Sequence, residues 1–236
     1  MLLDKIYIIN LRTSPDRLKY IKQHLDDMKI PKDLIEYVIV DRPTEQEIRP
    51  SFLPNTDPAL RTGKYGCCTS HLRILQDIKK NNYKYALVLE DDIRILDRNI
   101  VELVDKYITQ LNDNNVKFDV LYLGGMCKSR SPKKISDNVY KTLSMNGTFA
   151  YVISQNATKL IHAIEHLTLE IDIGFRRFAK TNEFYTVVPY LVEPVPWIKS
   201  DITGQSGCTS AAITYSYKVL TGLAQLPENK LLECFI

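Results

Sequence analysis

Three consecutive carboxylates, Glu90-Asp91-Asp92, follow directly on the apolar run Tyr85–Leu89. Like charges in a row repel one another, so an apolar strand that ends this way calls for a cation. A hard divalent ion held by one or two carboxylates and by substrate phosphates would serve. A solvated turn with helix-capping acids is the plainer reading. Arg12 and Arg17 flank the first strand-to-helix turn. Their planar forks suit a donor phosphate or nucleotide, and simple surface solvation is the alternative. His71 stands in Gly66-Cys67-Cys68-Thr69-Ser70-His71-Leu72, at a predicted helix start. Helix starts attract phosphate, but a histidine there can also merely cap.

His162-Ala163-Ile164-Glu165-His166 matches the pattern of a zinc peptidase. Two histidines one turn apart can share a metal, but such a site needs a third protein ligand. Leu160, Ile161, Ile164 and Leu167 supply an ordinary core-facing stripe over the same residues. Trp197 could stack on a sugar face or pack in the core.

The elements that must position these residues alternate. Lys5–Leu11 reads as a buried strand. Ser14-Pro15-Asp16 opens a helix to about Met28, with Ser14 as N-cap and Leu18, Ile21, Leu25 and Met28 on one face. Glu36–Val40 is a second strand. Asp41–Tyr65 holds Pro43, Pro50, Pro54 and Pro58 and reads as a long loop. Thr69–Lys80 is helical, Tyr85–Leu89 a strand, Asn99–Leu111 a helix and Phe118–Leu123 a strand. Met126–Asp137 reads as a basic loop. Val139–Leu143, Thr148–Ile153 and Phe184–Val188 read as strands, and Ala157–Leu167 as a helix. Beyond Pro194 the pattern is irregular. Alternating strands and helices imply an α/β fold, with a mixed, mainly parallel sheet of Rossmann type and helices on both faces. In such sheets ligands bind at the carboxyl ends of strands, which singles out the acids after Leu89.

The chain has 236 residues, 44% of them hydrophobic and 25% charged, values of an ordinary globular domain. A net charge of +3 is too small to imply nucleic acid as a partner. Five cysteines, Cys67, Cys68, Cys127, Cys208 and Cys234, include no Cys-x-x-Cys pair. That argues against a disulfide framework or zinc ribbon and for free thiols in a reducing compartment. No run approaches the length of a membrane span. The expectation is therefore a cytoplasmic protein, with any membrane contact peripheral.

The order of these motifs resembles glycosyltransferase family 25, the group of bacterial lipooligosaccharide and collagen hydroxylysine galactosyltransferases. Ile8-Ile9-Asn10-Leu11 with Pro15-Asp16-Arg17 is similar to the family's first strand and turn. Gly66-Cys67 with Ser70-His71 resembles its glycine, cysteine, serine and histidine signature. Leu89-Glu90-Asp91-Asp92 resembles its metal motif. Phe118–Gly124 and Ala150–Ser154 also match. One departure is Asp41-Arg42-Pro43, where the family often has glycine after the acid of the second strand.

The resemblance implies a GT-A-like fold and a nucleoside-diphosphate sugar donor, UDP-galactose or UDP-glucose. It implies manganese, with magnesium as the alternative, and inversion at the anomeric carbon. It implies a hydroxyl acceptor on a glycan, glycolipid or hydroxylated peptide. Donor contacts are then expected from Asn10, Leu11, Arg12, Arg17, Ser70, His71, Glu90 and Asp91. Asp92 is the first metal ligand, and Glu90 contacts metal or ribose. Inversion needs a base on the acceptor side. Asp172, in Glu170-Ile171-Asp172-Ile173-Gly174, is the first candidate, with helix capping as its alternative role. Asp201 is the second, as base or metal ligand. One domain is expected over 1–236, with the donor part at about 1–125, the acceptor side at 126–211 and a C-terminal segment at 212–236. A catalytically inactive nucleotide-sugar binder on the same fold is the rival reading, and a zinc hydrolase built on His162 and His166 a remoter one.

Overall fold

The Ile-rich run Lys5–Leu11 forms β1, and its side chains alternate between two cores. Ile6 and Ile8 enter one, and Tyr7 enters the other. This is the two-sided burial expected of a strand inside a covered sheet. The computed structural model describes residues 1–127 and 132–204. The C-terminal segment 212–236, with Cys234, and also Cys208, lie outside the described residues.

Pro15 and Asp16 open helix α1 (Pro15–Asp27), which buries Ile21 and Leu25. Ser14 makes no capping bond. Its hydroxyl donates instead to Asp201 Oδ2 at 2.9 Å. Strand β2 spans Ile35–Val40. Helix α2 spans Pro58–Asn81 and is longer at its start than the sequence pattern suggests. Asp57 caps it by accepting from the backbone N–H groups of Ala59 and Leu60 at 3.0 and 3.2 Å. Pro58 sits in its first turn, where no N–H is missed. The expected loop over Asp41–Tyr65 is therefore loop only to Asp57, and His71 lies in mid-helix.

The chain continues through β3 (Tyr85–Glu90), β4 (Ile93–Ile95), α3 (Ile100–Asp113) and β5 (Val120–Tyr122). Helix α3 buries Ile100, Val104, Tyr107, Ile108 and Leu111 along one stripe, each worth about 1.5–3 kcal/mol when fully covered. The expected loop at Met126–Asp137 contains two short strands, β6 (Met126–Cys127) and β7 (Lys133–Lys134). Then come β8 (Val139–Lys141), β9 (Met145–Asn146) and β10 (Ala150–Ser154). A 3-10 turn (Gln155–Leu160) leads into α4 (Ile161–Glu165). Helix α5 (Ile171–Phe178), β11 (Phe184–Val187) and β12 (Val192–Pro194) follow.

Among the described residues, eight strands form one mixed sheet in the order β2-β1-β3-β10-β5-β11-β8-β7. Pairing is parallel for β1 with β2 and β3, and for β5 with β11. It is antiparallel on both sides of β10 and at the β8–β7 edge. Helices α1 and α3 pack on one face, and α2, α4 and α5 on the other. The α/β class with both faces covered is as the sequence implies. Among the described residues no helix is long and apolar enough to cross a membrane.

This topology decides where chemistry collects. The carboxyl ends of β1, β2 and β3 emerge at one edge, carrying Leu11, Asp41 and Glu90-Asp91-Asp92. Strand β10 runs the other way, so the residues before it return to the same edge. There the Glu90 N–H donates to the Phe149 carbonyl at 2.9 Å, which brings Gly147 and Thr148 beside the acids.

Candidate functional site

Arg17 is the hub of that edge. Its Nη2 meets Asp91 Oδ1 and lies 2.9 Å from Asp92 Oδ2, and its Nη1 lies 2.6 Å from Asp201 Oδ2. The cation that the acid run demanded is thus supplied in part by a side chain from α1. Asn10 completes the hold on Asp91, donating through Nδ2 to Oδ2 at 2.6 Å. Asn10 is almost wholly buried, so it positions Asp91 rather than facing a ligand.

Glu90 is differently placed. Its nearest basic group among the described residues is His71, at 3.8 Å. Burial holds the His71 imidazole down to about 4, against a weaker opposing pull from Asp172, so near neutral pH it carries no charge. Glu90 is pushed up to about 7, first by burial and then by the charges of Asp172 and Asp91. Asp91 and Asp92 are pushed up to about 6, again first by burial. Carboxylates this reluctant to ionise share a concave, poorly solvated place, a mark of functional sites.

Two clefts adjoin here. A cleft of about 640 Å³ is lined by Leu11, Arg17, Asp41, Arg42, Gly66, Cys67, Ser70, His71, the three acids and Ser200–Ile202. A wider one of about 1460 Å³ is lined by Lys64, Asn146–Phe149, Glu170–Ile173, Arg176 and Thr203. Cys67, Glu90, Asp92, Ser200 and Ile202 line both. Glu90 and Asp92 therefore stand on the wall common to two adjoining compartments.

The expected residues meet unevenly. Leu11, Arg17, Ser70, His71, Glu90, Asp91, Asp92 and Asp201 all reach the smaller cleft. Arg12 stays outside its lining, exposed and paired with Asp41 at 2.8 Å. Ser70 spends its hydroxyl on the Gly66 carbonyl at 2.7 Å. The helix-start argument for His71 fails, because α2 begins thirteen residues earlier. Its Nδ1 instead lies 2.6 Å from the Tyr151 hydroxyl, and its buried Nε2 has no hydrogen-bond partner.

Asp172 sits in the first turn of α5 but does not cap it. Its carboxylate accepts from the Gly147 N–H at 3.0 Å and the Thr148 hydroxyl at 2.8 Å, facing the wider cleft. Trp197 is 69% exposed, so it is not core. His162 and His166 are exposed, with rings 4.5 Å apart. Among the described residues they gather no third ligand, which removes the basis for a zinc hydrolase.

Sequence reasoning gave no site role to Arg42 or Gly63, and took Gly66 only as part of a signature. Arg42 donates to the Asp201 carbonyl and to the Ala59 carbonyl. A Cβ on Gly63 would sit 3.0 Å from the Arg42 guanidinium, and one on Gly66 would sit 2.9 Å from the Pro43 ring. The unusual Arg42-Pro43 after β2 is thus matched by two side-chain-free positions on α2. Two glycines three apart, opposite a departure from the family pattern, were the available signal.

The family model described as "Glycosyltransferase family 25 (LPS biosynthesis protein)" matches residues 3–174. The chain is similar to a "Glycosyltransferase 25 family member" of Drosophila melanogaster, 30% identical over 68% of this chain and 28% of that protein. It is also similar to "Procollagen galactosyltransferase 1-B" of Xenopus laevis, 30% identical over 52% of this chain and 21% of that protein. The match thus spans about a quarter of the length of these curated relatives. Among solved structures it is similar to mannose-1-phosphate geranyltransferase from Thermus thermophilus, with TM-score 0.46, 9% identity, and 79% and 74% of the two chains covered.

Proposed function

The chain belongs to glycosyltransferase family 25, and on that premise we propose that it transfers a hexose from a uridine-diphosphate sugar to a hydroxyl acceptor, with inversion. Galactose is favoured because relatives carry the name galactosyltransferase, and glucose is second. The observation that carries the reading is the shared wall. The donor diphosphate fits the smaller cleft beside Arg17, and the acceptor fits the wider cleft beside Asp172. Glu90 and Asp92 stand where the two must meet.

Manganese, or magnesium in its place, fits the residues present. Glu90 and Asp92 offer hard oxygen ligands, and Glu90 has no charged basic partner among the described residues. Asp92 and Glu90 would hold the ion, which when bound supplies Lewis-acid charge to the donor diphosphate.

The chain's own groups do the rest. Asn10 and Arg17 fix Asp91 and hold the acid run in place. A donor phosphate entering the cleft draws on the Arg17 guanidinium in competition with Asp201. Asp172 is the base that takes the acceptor proton as its oxygen attacks, steadied by Gly147 and Thr148. Asp201 is assigned to positioning, since its carboxylate is committed to Arg17 and Ser14. The acceptor is a hydroxyl on a glycan, glycolipid or hydroxylated peptide. The free thiols of Cys67 and Cys68 support a reducing compartment such as the cytoplasm.

A screen of nucleotide sugars for nucleotide release, with and without manganese, tests the reading. Manganese-stimulated UDP release from UDP-galactose or UDP-glucose is expected. Tight donor binding with no release under any acceptor would mark an inactive binder instead.

A further inference from the structure

We propose that Cys67, His71 and Glu90 form a binding site for a borderline-soft divalent cation of the zinc class, distinct in its donor atoms from the oxygen pair of Glu90 and Asp92. Cys67 and His71 are four apart on α2 and so share a face. One ligand atom from each of the three residues lies within 4.8 Å of the others. His71 Nε2 is 3.8 Å from Glu90 Oε1, too long for a hydrogen bond.

The independent pointer is His71 itself. It has no solvent exposure, and its Nε2 is buried without a hydrogen-bond partner. An orphaned ring nitrogen in such a place calls for an explanation. Its other nitrogen is held at 2.6 Å by the Tyr151 hydroxyl. With Nδ1–H donating to that oxygen, Nε2 keeps a free lone pair 3.8 Å from Glu90 Oε1. Metal-binding histidines are oriented by an outer partner in this same way.

Zinc bonds of about 2.0–2.3 Å put neighbouring ligands about 3.5 Å apart, so side-chain movements of about 1 Å close the set. Three protein ligands leave a fourth position open. Because Cys67 and Glu90 line both clefts, that position faces the site. Thiolate and imidazole select zinc-class ions over manganese and magnesium, and binding releases the thiol proton.

The site does not depend on glycosyl transfer, but one consequence rests on that function. Glu90 is shared, so a zinc-class ion withdraws it from the donor-side cation and inhibits transfer.

Cobalt(II) titration under anaerobic conditions tests the site by absorption. One equivalent should give a thiolate-to-cobalt charge-transfer band, which zinc removes and excess manganese does not. Cys67→Ser should lose the band, and Glu90→Gln should weaken cobalt binding at least tenfold. His162→Ala should leave the band intact. Circular dichroism melts establish that each variant is folded. A cobalt spectrum without the band, a band that survives Cys67→Ser, or one lost in His162→Ala overturns the proposal. If UDP release occurs, zinc should inhibit it less in Cys67→Ser than in the wild type. If no sugar is transferred at all, the spectra still decide the site.

Discussion

Arg17 Nη1 lies 2.6 Å from Asp201 Oδ2, and this pair fastens the first helix to the chain beyond β12. The same guanidinium faces Asp91 and Asp92 through its other nitrogen. One arginine thus organises three carboxylates that would otherwise repel, and it makes no ion pair with Glu90, which stands with Asp92 on the wall common to the two clefts.

Arg17→Ala should therefore be costly to the fold. Asp91 is almost fully buried, and removing the partner of a buried charge costs about 3–5 kcal/mol. Denaturant unfolding measures the loss. Adding Asp91→Asn should recover part of it, because the stranded charge is then gone. Strict additivity of the two changes would show that the pair is not coupled.

Asp92→Asn should abolish manganese stimulation of UDP release while the protein stays folded. The amide keeps the size of the side chain but not the charge that the cation needs. Near-normal activity of the variant at low manganese would move the metal assignment elsewhere.

The Glu90 carboxyl gives a stability test with a definite sign. Burial raises it from 4.5 to about 7. An acid whose folded value is raised contributes stability that is full below its unfolded value and lost as pH rises through the folded one. Stability of the metal-free wild type, measured relative to Glu90→Gln, should fall between about pH 4.5 and 7. Manganese should restore it at the upper end. A difference that is flat with pH would mean that Glu90 titrates as if in water.

Much of this was readable in advance where local chemistry dominates. The Ile-rich run of β1, the Pro15 helix start and the acids after β3 each carry their own signal. The first half of α2 was hidden because Arg61, Gly63, Lys64 and Gly66 break its apolar stripe, although Asp57-Pro58 marks its start. Helix α5 was missed because Ile171-Asp172-Ile173 alternates like a strand. The bonds that make the site were not readable, since Asn10 and Asp91 are 81 residues apart and Arg17 and Asp201 are 184 apart. The pairing of β1 with β3 brings the first two together, and the pairing of β12 with β4 returns the chain leading to Asp201.

Asp172 poses the sharpest choice between structure and chemistry. Its carboxylate joins α5 to the turn before β10 through Gly147 and Thr148, so a purely structural role is a real competitor. As general base it takes a proton from the acceptor hydroxyl and need not touch the nucleotide. Asp172→Asn should then leave donor and manganese binding intact and cut turnover by about 100- to 10,000-fold. The amide oxygen can still accept one of the two hydrogen bonds, and losing the other costs about 1 kcal/mol. Thr148→Val removes one of those bonds from the other side without touching the carboxylate. It should lower the melting temperature comparably while keeping most of the turnover. If both variants lose turnover in proportion to stability, Asp172 is a brace between two elements, and the base must be sought elsewhere on the wider cleft.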